Sequence, residues 1–123
     1  NGLLNLTSLN LASNEISDLD VNLFKDLVNL KDLFLSKNNL KELGPFLFDN
    51  LIRLETIYLD SSEISSINEF TFNNKLISLR SIYLTNNNLV EISPYQFSNI
   101  PQLTNVYLSN NQINKIGTYA FLT

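Results

Sequence analysis

The chain has 123 residues, a formal charge of −4, and no Cys, His, Met or Trp. A chain of this length holds one domain. Without Cys and His it has no Ser-His-Asp or Cys-His nucleophile and no thiolate or imidazole metal ligand, which excludes most enzyme classes. Eight Lys and Arg against twelve Asp and Glu argue against nucleic acid and anionic membranes as partners. No apolar run reaches the ~18 residues of a membrane span.

Leucine and asparagine recur with a fixed period. About a fifth of the residues are Leu and about a sixth are Asn, a strong compositional bias. The units begin near Leu6, Leu30, Leu54, Leu79 and Leu103, at spacings of 24, 24, 25 and 24 residues. A period of this length is typical of stacked repeat architectures. We therefore predict one array over residues 1–123, and its incomplete first and last units favour an internal fragment without caps.

Each unit repeats one pattern of apolar and amide residues. The second unit reads Leu30, Leu33, Leu35, Asn38, Leu40, Leu43, Phe48 and Leu51. The alternation in Leu-x-Leu predicts a short strand with one buried face. A single unit cannot bury that face alone, so stacked units should share one core beneath a parallel sheet. The Asn positions should form a hydrogen-bonded ladder at the turns, and the Phe positions a spine in the core.

The motif L-x-x-L-x-L-x-x-N-x-[IL]-x-x-[IL], followed by F-x-x-L, resembles the leucine-rich repeat family over essentially the whole chain. The 24-residue length with Phe near its end resembles the class common in animal extracellular receptors. The resemblance implies an α/β-type solenoid of about five repeats, a right-handed superhelix with a parallel β-sheet on its concave face and mostly loop or short helix on its convex side. It also implies an extracellular setting, with a cytoplasmic array as the alternative.

The third unit departs from the pattern twice. Ser62 stands where Asn is expected, and one extra residue lies among Asn73, Asn74 and Lys75. A hydroxyl satisfies fewer backbone groups than an amide, so this step of the ladder should be weaker or completed by water. The extra residue should lie on the return loop, most simply as a harmless bulge. Asp60 and Glu63 lack the ligand density of a calcium loop, so we expect no metal and no cofactor.

The residues between the core positions of each strand should form columns on the concave face. The central column contains four aromatic residues in succession, which favours a protein-binding surface over mere strand propensity. Charged and polar residues should surround it, with Lys31, Glu55 and Arg80 able to pair along the sheet. The predicted ligand-binding residues are Phe34, Tyr58, Tyr83, Tyr107, Lys31, Asp32, Glu55, Asp60, Arg80 and Asn105.

Two further features are weaker. Asn5-Leu6-Thr7 is an N-x-[ST] sequence, so Asn5 is the candidate glycosylation site if the protein is secreted. A second aromatic set precedes each spine Phe by two residues, and we expect it to be partly buried under the return segment. That set contains Phe46, Phe70, Tyr95 and Tyr119.

The leading hypothesis is a non-catalytic recognition module of an extracellular receptor or secreted protein. Its partner would be a protein, with a glycan as a variant, and the Toll type of innate immunity is among the family's candidate roles. The chain would also contact flanking repeats or caps, but neither membrane nor nucleic acid. The alternative is a structural spacer or a homodimerisation segment, in which the aromatic column only stabilises the sheet.

Overall fold

A computed structural model describes residues 2–122 of the chain. Five parallel strands form one sheet, with each strand contributed by one repeat unit. These strands are β1 (Ser8–Asn10), β2 (Asp32–Phe34), β4 (Thr56–Tyr58), β6 (Ser81–Tyr83) and β8 (Asn105–Tyr107). Shorter strands follow them in the chain: β3 (Glu42–Leu43), β5 (Ser66–Ile67), β7 (Glu91–Ile92) and β9 (Lys115–Ile116). The predicted solenoid of about five turns is confirmed.

The register of the sheet follows the repeat frame. Leu33 pairs with Ile57, Ile57 with Ile82, and Ile82 with Val106, so equivalent positions always lie side by side. The middle residue of each strand points into the core, while the residues on either side of it face outward and are half-buried or exposed. Because side chains alternate along a strand, this register places each outward column on one surface. We call that outer surface the sheet face.

The return side of the solenoid, which connects one sheet strand to the next, differs in part from the expectation of loop and short helix. Turns dominate it, and within residues 2–122 the only helix is a 3₁₀ helix, Gly2–Asn5. The short strands were not anticipated: β3 pairs with β5, and β7 pairs with β9. Backbone N–H groups here bond either three residues back, as Gln96 does to Ser93, or to the neighbouring unit, as Tyr95 does to Thr118. Phe46 and Tyr95, with positive φ, also interrupt any helix.

The core lies between the sheet and the return side. The apolar positions of the three central units are almost entirely buried, as are the spine residues Phe24, Phe48, Phe72 and Phe97. Their rings follow one another at centroid distances of 5.7 to 6.1 Å, and Phe121 continues the series at 5.5 Å. The predicted spine is confirmed: one aromatic ring per unit fills the width of the core.

The asparagine ladder is also confirmed. The side-chain Nδ2 of Asn87 donates to the carbonyls of Leu59 and Leu84, each at 3.0 Å. Its Oδ1 accepts from the backbone N–H groups of Ser62 and Ile64, again at 3.0 Å. One amide thus satisfies four backbone groups in two adjacent units. Asn38 and Asn111 bridge their own and the preceding units in the same way.

At Ser62 the main chain takes over a bond that an Asn amide makes in other units, and the expected weakness of this step stays a prediction. Ser62 Oγ donates to the Leu35 carbonyl at 3.1 Å. The backbone N–H of Leu40 then bonds to the Ser62 carbonyl at 3.0 Å, where other units use an Asn side-chain oxygen. Lys41 and Glu63 take positive φ values of 59° beside this bond. The unit keeps its buried groups paired through an altered backbone path.

The ladder generates a stability prediction. Asn87→Ala removes a buried side chain and leaves backbone groups unsatisfied at ~1–3 kcal/mol each, so we expect the free energy of unfolding to fall by about 3–5 kcal/mol. Asn14→Ala is the matched control, because Asn14 is exposed and its bonds within residues 2–122 stay in its own unit. It should lose at most ~1 kcal/mol. Equilibrium urea unfolding measures both, and equal losses would contradict the ladder's role.

Candidate functional site

The predicted aromatic residues form one continuous stack on the sheet face. The ring centroids of Phe34 and Tyr58 lie 4.5 Å apart, those of Tyr58 and Tyr83 4.7 Å, and those of Tyr83 and Tyr107 4.4 Å. Adjacent rings are within 12° of parallel. These distances are close to the ~4.8 Å spacing of neighbouring strands, so the sheet itself sets the stacking distance. We call Phe34, Tyr58, Tyr83 and Tyr107 the sheet-face column.

Stacking determines which parts of these rings a partner can reach. Phe34, Tyr58 and Tyr83 are half-buried, and Tyr107 is 39% exposed. The faces of Tyr58 and Tyr83 are covered by their neighbours, whereas the ring edges and hydroxyl groups point outward from the sheet. A ligand would therefore meet a line of edges and hydroxyls. Asn10 ends the column on the other side of Phe34, with its Oδ1 accepting from the Ala12 N–H at 2.9 Å.

The hydroxyl groups of the column interact with one another. Burial within the stack raises the pKa of Tyr83 above its ordinary value of 10.0, and the neighbouring Tyr107 and Tyr58 raise it further. Tyr83 consequently stays neutral at physiological pH. It can donate and accept hydrogen bonds without presenting charge.

The charged column beside these rings does not form the predicted pairs. Among the described residues, none of Lys31, Glu55 and Arg80 makes an ion pair; the ion pair that forms joins Lys75 to Asp49 at 3.5 Å. The three instead line a shared groove of about 440 Å³. Arg53 and Gln102 also line it and were missed from the sequence. Both could have been predicted from the sequence, because each directly precedes the first Leu of a unit and so lies next to the charged column.

The remaining predicted binding residues lie on the same face but do not converge on one point. Asp32 and Asn105 begin β2 and β8 and face outward there. Asp60 follows β4 and accepts a hydrogen bond from Ser36 Oγ at 2.6 Å. The structure therefore gathers these residues as a broad, flat surface around the sheet-face column. A surface of this kind suits contact with a large partner better than enclosure of a small one.

The candidate glycosylation residue is accessible. Asn5 is exposed and ends the 3₁₀ helix that precedes β1. Its position beside the first strand is compatible with an attached glycan, and its glycosylation stays a prediction.

The second aromatic set is about half exposed. Phe46, Phe70, Tyr95 and Tyr119 are between 49% and 57% exposed, and they lie on the return side after the short strands. Three of them also have positive φ: 62° at Phe46, 60° at Tyr95 and 55° at Tyr119. About half of each side chain is therefore covered, and positive φ does not decide the exposure, because Phe70 is 50% exposed without it. We call these four residues the return-side column.

The repeat pattern and the fold identify the family. The family model for the leucine-rich repeat matches residues 5–62 and 52–113, which together cover most of the chain. The chain belongs to the leucine-rich repeat family. No curated protein gives a significant match to this leucine-rich repeat chain.

Solved structures extend the likeness to Toll receptors. The complex of Toll with Spatzle from Drosophila superposes with a TM-score of 0.82 at 28% identity, over 89% of this chain and 16% of that one. The TLR13 complex with ssRNA13 gives a TM-score of 0.64 at 22% identity, over 89% and 19%. This leucine-rich repeat chain thus spans less than a fifth of each of these structures' chains.

The TLR13 structure concerns the expectation that this chain does not bind nucleic acid. At 22% identity it shows likeness of fold alone, but it is described as a complex with ssRNA13. The leucine-rich repeat fold therefore does not support the expected exclusion of nucleic acid. That exclusion rests only on the acidic composition of this chain.

None of the helical structure in residues 2–122 has the length and apolar character of a membrane-spanning segment.

The stack predicts unequal losses of stability along the column. Tyr83 stacks on two described neighbours and Tyr107 on one, and each aromatic pair contributes ~0.5–1.5 kcal/mol beyond area burial. Tyr83→Ala should therefore lower the free energy of unfolding about twice as much as Tyr107→Ala. Urea unfolding of both variants tests this. Equal losses would mean that ring stacking contributes little.

The raised pKa of Tyr83 predicts a pH effect. Above the ordinary value of 10.0 the unfolded chain releases a proton that folded Tyr83 retains, so stability should fall as pH rises through this range. Tyr107→Phe should bring the pKa of Tyr83 down, but not fully, because burial remains. Ultraviolet titration of tyrosinate, with Tyr83→Phe as the difference control, measures the shift. Ionisation of Tyr83 at or below the ordinary value would refute it.

Proposed function

We propose that this chain is a non-catalytic recognition module that binds a protein ligand on its sheet face, in the extracellular region of a receptor or in a secreted protein. The observation that carries the proposal is the sheet-face column, in which four aromatic rings lie in register and are partly open to solvent. Among residues 2–122, no other element packs over this surface. Exposed aromatic area of this extent is typical of interaction surfaces.

The geometry favours a protein over a glycan as the ligand. A sugar ring normally stacks on an aromatic face, and the faces inside the column are already occupied. Ring edges and hydroxyl groups instead suit side chains and backbone groups of a protein. The rigid sheet holds them in place before binding, so little conformational entropy is lost. Toll, which this chain resembles, has been solved in complex with Spatzle.

Charge around the column supports specificity. The side chains of Lys31, Arg53 and Arg80 gather on one flank with Glu55 as the carboxylate in that groove. Since these groups form no ion pairs with one another or with other groups in residues 2–122, they are available to a partner. We expect the ligand to place acidic groups against this flank, where complementary charges speed association more than they tighten it.

An open surface also argues against catalysis. A groove of about 860 Å³ lies away from the sheet face, beside β3 and β5, and is open to solvent. Hydrolysis by two carboxylates requires a site that excludes bulk water, which neither this groove nor the sheet face provides.

The stacking itself favours the second candidate, a structural spacer or a homodimerisation segment. Each ring stabilises its neighbours, so the sheet-face column has a structural role whether or not it meets a ligand. The two functions differ in one consequence. A spacer needs the ring faces alone, whereas recognition also needs the hydroxyl groups and the flanking charges.

The test uses variants that keep the stack. The chain is screened against a panel of secreted proteins and glycans beside two variants: the triple change Tyr58→Phe, Tyr83→Phe and Tyr107→Phe, and the double change Lys31→Glu with Arg80→Glu. The control is Lys41→Glu with Lys115→Glu, which reverses two exposed charges on the return side. For a ligand of the sheet face, we expect affinity to fall about tenfold or more in the first two variants and to hold in the control.

Three results would contradict recognition on the sheet face. If binding persists equally in all variants, the partner contacts another surface. If no partner binds, or if the chain binds only itself, the spacer or homodimer function takes its place. Circular dichroism and urea unfolding of each variant confirm that the changes leave the fold intact.

A further inference from the structure

We propose a second binding site on the return side, between the third and fourth units, that takes an arginine or lysine side chain of a partner protein. The cation would lie between the rings of Phe70 and Tyr95, with the Glu69 carboxylate as its counter-ion. This site is on the other side of the core from the sheet face. The proposal therefore stands independently of the function proposed above.

The site is a gap in the return-side column. Phe46 stacks on Phe70 at a centroid distance of 5.8 Å, and Tyr95 packs against Tyr119 at 5.6 Å. Between Phe70 and Tyr95 no ring contact forms within the described part of the chain. A groove of about 190 Å³ separates them, with the buried Phe72 and the polar residues Asn74 and Asn99 also lining it.

The extra residue of the third unit accounts for the gap. The enlarged loop is fixed towards the second unit, because Asn73 Nδ2 donates to Asp49 Oδ1 at 2.6 Å and Lys75 Nζ lies 3.5 Å from Asp49 Oδ2. The return-side sheets break at the same place: β3 pairs with β5 and β7 with β9, but β5 and β7 do not pair. Gln96 Nε2 still joins the two units, because it donates to the Asn68 carbonyl at 3.0 Å, and the groove opens beside that bond, where the enlarged loop bonds to the second unit instead.

Both aromatic walls are held in place by hydrogen bonds to their own backbone. The Phe70 N–H donates to Asn68 Oδ1 at 2.8 Å, and its carbonyl accepts from Asn73 Nδ2 at 3.1 Å. The Tyr95 carbonyl accepts from Ser98 Oγ at 2.8 Å. The rings are half exposed yet anchored at their backbones. A ligand would enter a groove that exists before binding, which lowers the entropic cost of association.

The negative charge of the Glu69 carboxylate favours a cation as the ligand of this groove. Glu69 is the one ionisable carboxylate in the groove, and within residues 2–122 its side chain has no ion pair or hydrogen bond. Lys75, the nearby cation, is already engaged by Asp49. Aromatic rings attract cations, and guanidinium groups stack on them as well. The chain's net charge of −4 adds a general attraction for basic partners.

Size supports a single side chain. A cavity of about 150 Å³ holds one benzene molecule, and sites for drug-sized ligands start at about 300 Å³. At about 190 Å³ the groove accommodates the end of one long side chain. A neutral sugar residue is the competing occupant, and the test includes it as an outcome.

The test uses three small probes and the whole chain, observed by NMR. The probes are N-acetyl-arginine amide, N-acetyl-citrulline amide, which has the same shape without the charge, and a methyl glycoside. We expect the arginine probe to give saturable shifts in residues 69–74 and 95–99. Its affinity should be on the order of millimolar, because one cation–π contact and one exposed ion pair are each weak. The citrulline probe should bind at least several-fold more weakly.

Two variants and a control complete the test. Glu69→Gln removes the counter-ion, and Phe70→Leu removes one aromatic wall; each should abolish saturable shifts by the arginine probe. The matched control is Glu91→Gln, an exposed carboxylate on the return side of the fourth unit, and it should bind as the unchanged chain does. The proposal is overturned if citrulline binds equally well, if only the glycoside binds, or if no probe gives saturable shifts.

Discussion

The hydrogen bonds between successive units are the constraint on which the rest of the structure depends. No unit has a core or a sheet of its own, and its backbone groups find partners one repeat away, from Lys31 on Thr7 to Thr104 on Arg80. Strand pairing therefore fixes the spacing of the units along the sheet. The sheet-face column has that spacing, with ring centroids 4.4 to 4.7 Å apart, whereas the rings of the Phe spine lie 5.5 to 6.1 Å apart in the core.

This spacing allows one set of rings to stabilise the sheet and also to contact a ligand, as the proposed function requires. The strand spacing happens to match the distance at which parallel aromatic rings stack, so Tyr58 and Tyr83 gain neighbours without moving from their strands. Their faces are then used for stability, while their edges and hydroxyl groups stay open. The two roles involve different atoms of the same side chains, and substitutions that separate ring from hydroxyl can separate the roles.

The repeat frame made much of this structure predictable, because columns such as the Phe spine and the Asn ladder follow from spacing and residue type alone. What could not be predicted depends on backbone detail or on side-chain reach. The carbonyl of Ser62 replaces an amide only because Lys41 and Glu63 adopt positive φ. Likewise, Lys31 and Arg80 lie near Glu55, yet exposed ion pairs gain too little for the sequence pattern to predict their pairing.

The two departures of the third unit show where such an array tolerates change. Ser62 is buried, where an unpaired polar group is costly, and there its hydroxyl donates to the Leu35 carbonyl while its own carbonyl accepts from the Leu40 N–H. The extra residue lies on the surface, where water can satisfy any group that loses a partner, and the gap beside Phe70 stays open. Buried irregularities are repaired and surface irregularities persist. A feature particular to this chain is therefore best sought on its surface, where the third unit departs from the others.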